Sequence, residues 1–504
     1  MIKRKLEKSF VLAIAAGLVY SVLSVSSALT KSPWSDEAWF ANAAWNLATK
    51  GRMVTTVLET SGTNLQGLDQ YTFWVMPLHL LVQAGWYKVF GFSLLGMRLI
   101  SVGFGFLALV AWYVVIKSLS ESRQVALLTV ALLSVDYVFV MGASLGRMDM
   151  MSSALGASGL AVYLLLREQS LTKAIFFSQS LVVASGLTHP NGGLLFFFGV
   201  LSIAVLFDRT RLLRPWKLAT FCLPYVIGSL LWGAYIIRAP SLFVAQFTTN
   251  ASMGGRLSGL TSPLTALQNE ITLRYLQSFG LAGHSLGHEG PIKLKALILA
   301  TYIVAISGVL ITRKLRQQAG IRRLLLLTLL FFLLLAIFDG QKLSFYLIHI
   351  IPLYTALLAV WIRWCWTSRP FPRWVPILIL TGFISLQAGG ILYRAYLDSY
   401  HNSYLPAVNF IKGNFDDNTR VMGSAVLGFG IGFDRIIDDV RLGFLTGRRP
   451  KLIVVGETYD GAFKDYEKKE PLIYQHILRL TTKEYSQVYN YKTFQIYERI
   501  SLEE

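Results

Sequence analysis

Thr72-Phe73-Trp74-Val75-Met76-Pro77-Leu78-His79-Leu80-Leu81-Val82-Gln83-Ala84-Gly85-Trp86-Tyr87-Lys88-Val89-Phe90 is the stretch on which the fold turns. It is apolar enough to pass for a membrane span, yet it carries Pro77, His79, Gln83 and Lys88. The other apolar runs lie at 10–29, 97–116, 124–143, 150–166, 174–188, 191–207, 217–237, 294–312, 323–338, 343–362 and 374–393. Loops on the cytoplasmic side of a membrane are enriched in Lys and Arg, so charge decides how 72–90 is read. Place the N-terminus, with Lys3, Arg4, Lys5 and Lys8, inside, and keep 72–90 in the outer interface. The inner loops then hold Lys117 and Arg123; Arg167 and Lys173; Arg209, Arg211, Arg214 and Lys217; Arg313, Lys314, Arg316, Arg322 and Arg323; Arg363, Arg369 and Arg373. The short outer loops keep little beyond Arg147 and Lys342. If 72–90 crossed, every later loop would invert and the asymmetry would point the wrong way. The sequence therefore predicts about eleven spans of the usual 17–25 residues, with an interfacial helix at 72–90. It also predicts a cytoplasmic N-terminus and an external C-terminal segment.

Composition agrees. Of 504 residues, 54% are hydrophobic and 15% charged, and mean hydropathy is +0.51. That is too little polar surface for a soluble protein of this length, and it excludes disorder and coiled coil. The two cysteines, Cys222 and Cys365, lie in or beside apolar runs and make no disulfide framework. The net charge of +19 would suggest nucleic acid in a soluble chain. Here it sits between apolar runs, so the partner it implies is the bilayer and not nucleic acid. The first run is read as an uncleaved anchor, because no small-residue cleavage pattern follows it.

Three parts are expected outside: loop 30–96, loop 238–293 with amphipathic character around Leu264–Phe279, and the segment 398–504. In the last, Arg420–Ala425 and Lys451–Glu457 look like strands, 463–480 like a helix, and Tyr485–Tyr489 and Thr493–Ile500 like a closing hairpin. The expected fold class is an all-α polytopic membrane domain over 1–397 with a small C-terminal extracytoplasmic α/β domain over 398–504, set in the cell (inner) membrane.

Candidate chemistry gathers at the expected outer ends of the spans. Pro33-Trp34-Ser35-Asp36-Glu37 follows the first span, and Ser35–Lys50 reads as a helix ended by Gly51. The bland reading is that Ser35 caps this helix and the acids complement its dipole. The functional one rests on place: Trp34, Trp39 and Trp45 suit a bilayer surface, where a lipid head group arrives. Asp149, in Gly146-Arg147-Met148-Asp149, caps a helix or does chemistry. Asp136 lies within a span, where an ionisable group is costly; function and pairing with a basic residue weigh equally. His189 in Thr188-His189-Pro190-Asn191-Gly192 and Lys342 in Asp339-Gly340-Gln341-Lys342 occupy two further outer turns. An acid that takes a proton, beside cations that hold a phosphate, is suited to displacing a lipid phosphate.

These residues resemble, in order and placement, the GT-C glycosyltransferases of the protein O-mannosyltransferase and aminoarabinose transferase type. The matching stretches are Asp36-Glu37, Phe90-Gly91-Phe92-Ser93 through Arg98-Leu99, Arg147-x-Asp149, Gly186-Leu187-Thr188-His189-Pro190-Asn191-Gly192, and Lys342-Leu343-Ser344-Phe345-Tyr346 with Pro352. The resemblance runs from about 10 to 365. It implies a polyprenyl-phosphate sugar donor, Asp36 as catalytic base, Asp149 as the second-loop acid and Lys342 facing the donor phosphate. Relatives often carry Lys where His189 stands, and Tyr71-Thr72-Phe73-Trp74 replaces a Lys-Pro-Pro element. The acceptor and the exact sugar are therefore not carried over.

The expected reaction moves a sugar from the lipid phosphate to a hydroxyl of a protein, lipid or glycan. Asp36, with Glu37 as a weaker partner, takes the proton. Lys342, His189 and Arg147 neutralise the departing phosphate. No cofactor is established; a divalent metal is compatible with the acids, but no spacing identifies one. Two rivals stand beside this reading. A transporter or flippase would put its site near the bilayer midplane, and Asp136 alone favours it. A non-catalytic assembly subunit would make Asp36 dispensable.

Overall fold

The computed structural model describes residues 2–63, 65–212, 214–252, 255–281 and 293–500, with side chains from Phe10 in the first helix and from Leu294 in the helix that begins at Lys293. The side chains of Lys3, Arg4, Lys5 and Lys8, and the end of the 238–293 loop, lie outside the described residues.

The chain opens with α1 (Ile2–Thr30), α2 (Ser35–Lys50), α3 (Pro77–Phe90) and α4 (Leu94–Ser120). A broken pair follows, α5 (Arg123–Leu133) and α6 (Tyr137–Ala143), then α7 (Met148–Leu166), α8 (Leu171–Thr188), α9 (Pro190–Leu212) and α10 (Pro215–Ile236). Beyond come α11 (Pro240–Ser252), the short α12 (Ser258–Thr261), α13 (Pro263–Asn269) running into a π-helical turn over Glu270–Leu276, and α14 (Lys293–Ile311). The short α15 (Arg313–Arg316), α16 (Ala319–Phe338), α17 (Ile351–Ser368), α18 (Trp374–Leu397) and α19 (Leu405–Asn414) complete the bundle. Among the described residues nine helices are long and apolar enough to cross a membrane, and the α5–α6 pair, bent by 64°, makes a tenth. The remaining expected run, 343–362, is a 3-10 turn over Ser344–His349 followed by α17, which is buried from Ile351 to Ile362. Its three tryptophans and Arg363 make it less apolar than its neighbours. On the outside of the bundle, large apolar side chains such as Leu230 and Leu231 are 68% and 70% exposed, as a lipid-facing surface requires. The protein is a multi-pass membrane protein.

The doubtful stretch settles as the short helix α3. Its 14 residues reach about 21 Å at 1.5 Å per residue, less than a hydrocarbon core of about 30 Å. Pro77 opens it at the first helical position, where the missing N–H costs nothing. α2 has the expected bounds, and Gly51 ends it in the left-handed region at φ 68°. Its start is capped differently from expectation. Ser35 is already helical, and Glu37 Oε2 accepts the Trp34 N–H at 3.0 Å. α8 and α9 meet so closely below the His189 turn that a Cβ on Gly193 would lie 2.4 Å from Gly186 Cα.

The C-terminal sheet contains β1 (Val421–Gly423), β2 (Ile436–Ile437), β3 (Leu452–Val455), β4 (Tyr485–Tyr491) and β5 (Phe494–Arg499), in the order β2-β1-β3-β5-β4. β1 pairs in parallel with β2 and β3, and β5 is antiparallel to β3 and β4. β2 had no counterpart in the sequence reading. Side chains alternate across this sheet, as a pleated strand dictates. Val421, Leu452, Val454 and Ile496 join a core with Ala38, Phe40 and Ala41 of α2 and Leu80 of α3, together with Tyr404 and Val408. Met422, Ile453 and Val455 face the other way, toward Tyr459, Ile473 and Ile477. The domain's helices are the short α20 (Gly428–Ile431), α21 (Glu457–Lys469) and α22 (Pro471–Arg479); Tyr459 lies on α21, and Ile473 and Ile477 on α22. The single helix expected over 463–480 is thus two, because Pro471 lacks the N–H to continue α21.

Candidate active site at the α2 end of the bundle

Asp36 stands in the first turn of α2, with its side chain 26% exposed. Its Oδ2 accepts from Arg147 Nη1. Arg147 Nε donates to Asp149 Oδ2 at 2.8 Å, so one guanidinium joins the two carboxylates that the sequence had placed in separate loops. Trp34, 4.8 Å to the ring centroid, and Phe345, 4.7 Å, lie against that guanidinium with their own centroids 4.9 Å apart, so they form an aromatic wall on one side of it. These aromatic contacts fix its plane, since a guanidinium stacks on aromatic rings. Asp149 Oδ1 is buried without a hydrogen-bond partner among the described residues.

Glu37 departs from expectation. It is fully buried against an equally buried Arg98. Arg98 Nε donates to Oε1 at 2.9 Å and Nη2 to Oε2 at 2.8 Å, while the Gly146 N–H reaches Oε1 at 2.7 Å. Burial alone would raise its pKa, but the Arg98 charge and these hydrogen bonds outweigh it and hold the carboxyl below its ordinary range. Arg98 also donates to the carbonyls of Ala28, Lys31 and Ser32. Neighbouring acids on one helix thus have opposite environments, because side chains one residue apart diverge by about 100°. Glu37 is a brace for the α1–α2 connection, and Asp36 is the acid left facing outward.

Two of the three expected phosphate ligands are also placed differently. His189 Nδ1 accepts the Asn191 N–H at 3.2 Å, and its Nε2 lies 3.3 Å from Tyr346 Oη. Burial pushes its pKa down to about 4, so it is neutral near pH 7 and offers a hydrogen bond, not a charge. Lys342 Nζ lies 3.1 Å from Glu270 Oε2, with 1% of its side chain exposed, and it donates to the Ala336 carbonyl. Arg274 pairs with Glu270 at 2.9 Å and with Asp339 at 2.5 Å. Burial lowers the Lys342 pKa and raises that of Glu270, each countered by the other's charge. The ammonium expected to face a donor is held inside a buried quartet of two acids and two bases.

Asp136 caps α6 where the α5–α6 pair bends. Its Oδ1 accepts from Phe139 N at 2.9 Å, and its Oδ2 from Tyr302 Oη at 2.7 Å and Gln387 Nε2 at 2.6 Å. These donors are all neutral, so the basic partner weighed from sequence is not what holds it. For a metal, no group of three or more His, Cys, Asp or Glu stands together among the described residues. The two site carboxylates share the Arg147 cation.

A groove of about 400 Å³ runs between α8, α9 and α10, lined by Val182, Leu187, Leu194, Phe197 and Trp232 among others. Met76, just before α3, and Pro190, next to His189, also line it. Sequence reasoning named the acids and Arg147. It missed the aromatic wall, the Glu270 quartet and this groove, all of which depend on distant contacts.

No protein-family model and no curated protein matches the chain. Solved structures do. ArnT from Cupriavidus metallidurans bound to undecaprenyl phosphate superposes with a TM-score of 0.64 at 14% identity, over 98% of each chain. Its apo state gives 0.57 at 13%, over 97% of this chain and 98% of that one. Archaeal oligosaccharyltransferase AglB from Archaeoglobus fulgidus, in complex with an inhibitory peptide and a dolichol-phosphate, gives 0.52 at 12%, over 99% of this chain and 75% of that one. These neighbours are GT-C fold glycosyltransferases, and the long apolar helices, the α2–α3 layer and the C-terminal sheet of this chain together make the GT-C fold.

Proposed function

We propose that the protein is an integral membrane glycosyltransferase that moves a sugar from a polyprenyl-phosphate donor to an acceptor hydroxyl on the extracytoplasmic face. In this reading 1–397 is the catalytic membrane domain and 398–504 an extracytoplasmic one, with the N-terminus cytoplasmic. The observation that carries it is the Asp36–Arg147–Asp149 constellation: a partly exposed carboxylate beside a guanidinium that rests against two rings. The solved neighbours with bound polyprenyl or dolichol phosphate support the donor class. The apolar groove beside Pro190 suits the donor's lipid tail.

Asp36 takes the proton of the acceptor hydroxyl as its oxygen attacks the anomeric carbon. The bond to the phosphate oxygen breaks, and polyprenyl phosphate leaves with the electron pair. Arg147 neutralises that developing charge, and a preorganised cation in a poorly solvated site is effective at this. Neutral His189 adds a hydrogen bond, Asp149 keeps the guanidinium in place, and Lys342 stays with Glu270. The oxygens of Asp136, the residue that favoured a transporter, are engaged by its helix cap and by Tyr302 and Gln387.

The test is transfer by purified protein supplied with polyprenyl-phosphate sugars and candidate acceptors. Asp36→Asn keeps the size of the side chain, and Arg147 keeps its second carboxylate, Asp149. It is expected to fold normally and to lose on the order of 10²–10⁴-fold in rate, the usual contribution of a positioned general base. A well-folded, fully active Asp36→Asn would remove the centre of the proposal.

A further inference from the structure

The catalytic helix is held from the far side by the C-terminal domain, and one carboxylate makes the junction. Asp438 is buried. Its Oδ2 accepts from Trp39 Nε1 at 2.8 Å and from Ala425 N at 3.0 Å, and its Oδ1 from Tyr459 Oη at 2.8 Å. Trp39 belongs to α2, Ala425 follows β1, and Tyr459 lies in the first turn of α21. The backbone repeats the junction: Asp438 N donates to Val57 O at 2.7 Å and Glu59 N to Asp438 O at 3.0 Å. On α2, Trp39 is three residues past Asp36, one turn along and on a neighbouring side. Ser35, beside Asp36, has its Oγ 3.5 Å from Thr458 Oγ1 of α21.

We propose that Asp438 is a positioning residue that sets the rotation of α2, and so the aim of Asp36, through its hydrogen bond to Trp39. The proposal rests on Asp36 being the base. The physical argument is one of leverage. α2 packs on the sheet through the apolar Ala38, Phe40 and Ala41, while Glu37 pins its start to Arg98 on the bundle side. The indole hydrogen bond is the directional contact on the sheet side, so it sets the roll about the point that Glu37 fixes. All three donors point at an acceptor-only group, so a carboxylate suits the place. Asparagine would serve nearly as well: its oxygen can face Trp39 and Ala425, and its amide can donate to the Tyr459 oxygen. Alanine would release all three.

The experiment uses the full-length protein in detergent or nanodiscs, with Trp39→Phe, Asp438→Asn and Asp438→Ala. It reads backbone hydrogen exchange over 35–50, melting temperature, and kcat and donor KM for a polyprenyl-phosphate sugar. Trp39→Phe is expected to melt like the parent. Its exchange over 35–50 should rise about fivefold while α8 and α9 are unchanged, as loss of one local hydrogen bond implies. Its kcat should fall about tenfold with donor KM unchanged, since sub-ångström misplacement of a reacting group is costly. Asp438→Asn should restore parental values, and Asp438→Ala should behave like Trp39→Phe or worse. Unchanged exchange over 35–50 in Trp39→Phe overturns the proposal. So does looser α2 with undiminished kcat, or a matching loss in Asp438→Asn and Asp438→Ala. If Asp36→Asn itself proves fully active, the base assignment falls, while the exchange measurement still decides whether Asp438 holds α2.

Discussion

Glu37→Gln is the substitution for which the structure makes the firmest forecast. Glu37 accepts four hydrogen bonds, two from Arg98 and one each from Gly146 N and Trp34 N. Glutamine supplies one oxygen and turns an amide N–H₂ toward the remaining donors. Arg98, with 0% of its side chain exposed, is left charged and unpaired. Breaking a buried ion pair from one side costs about 3–5 kcal/mol, a large part of an ordinary folding free energy of about 5–15 kcal/mol. The variant should accumulate poorly or melt well below the parent, with transfer lost in proportion to the folded fraction. A second variant carrying both Glu37→Gln and Arg98→Met should be milder than the sum of the two single changes, because the orphaned charge is gone. Acid offers the same test without mutation. A carboxyl held below its ordinary 4.5 contributes stability that is complete above that value and is lost as pH falls from there toward its folded pKa. The parent should therefore begin to lose stability below about pH 4.5, and Glu37→Gln should lack that part of the decline. A Glu37→Gln protein that melts normally but transfers nothing would refute the bracing role and return Glu37 to the chemistry.

Three further outcomes are expected. Arg147→Lys should keep the fold but lose about tenfold or more in kcat, because a point cation reproduces neither the aromatic stacking nor the two carboxylate contacts; parental kinetics would move the phosphate role elsewhere. Lys342→Ala should lower the melting temperature, because Glu270 keeps only Arg274, and leave donor KM within about twofold; normal melting with a greatly raised donor KM would put Lys342 back on the phosphate. Gln318→Cys should resist an impermeant thiol reagent applied outside intact cells, and labelling there would invert the proposed topology.

Local features were legible and distant ones were not. Ser35 through Gly51 gave the bounds of α2, because a polar start and a glycine in the left-handed region mark helix ends locally. Pro77 and the charge pattern kept α3 short. The two helices separated by Pro471 were missed because an amphipathic pattern continued across it. Arg98 and Glu37 each stood in a quoted motif, yet their pairing joins residues 61 positions apart. Glu270 capturing Lys342 is of the same kind, and without a tertiary partner Lys342 looked free. Asp36, Arg147 and Asp149 could be grouped from the sequence because each stands at or beside a helix start that follows an apolar run. Which of the neighbouring acids faced outward was decided by Arg98, not by helix periodicity alone.

The brace around Arg98 has a consequence for biogenesis. Arg98 stands in the second turn of the long apolar α4, and an ionisable group in a membrane helix is costly unless it is paired. Its carbonyl partners on Ala28, Lys31 and Ser32, and the Glu37 carboxylate, all precede α4 in the chain. Each has therefore left the ribosome before Arg98 does. Its partners on the earlier chain are thus all made before α4, and only the Gly146 N–H, the other donor to Glu37 Oε1, is made after it. A rearranged gene that delivered α4 ahead of α1 and α2 would present the same arginine to lipid with nothing to receive it.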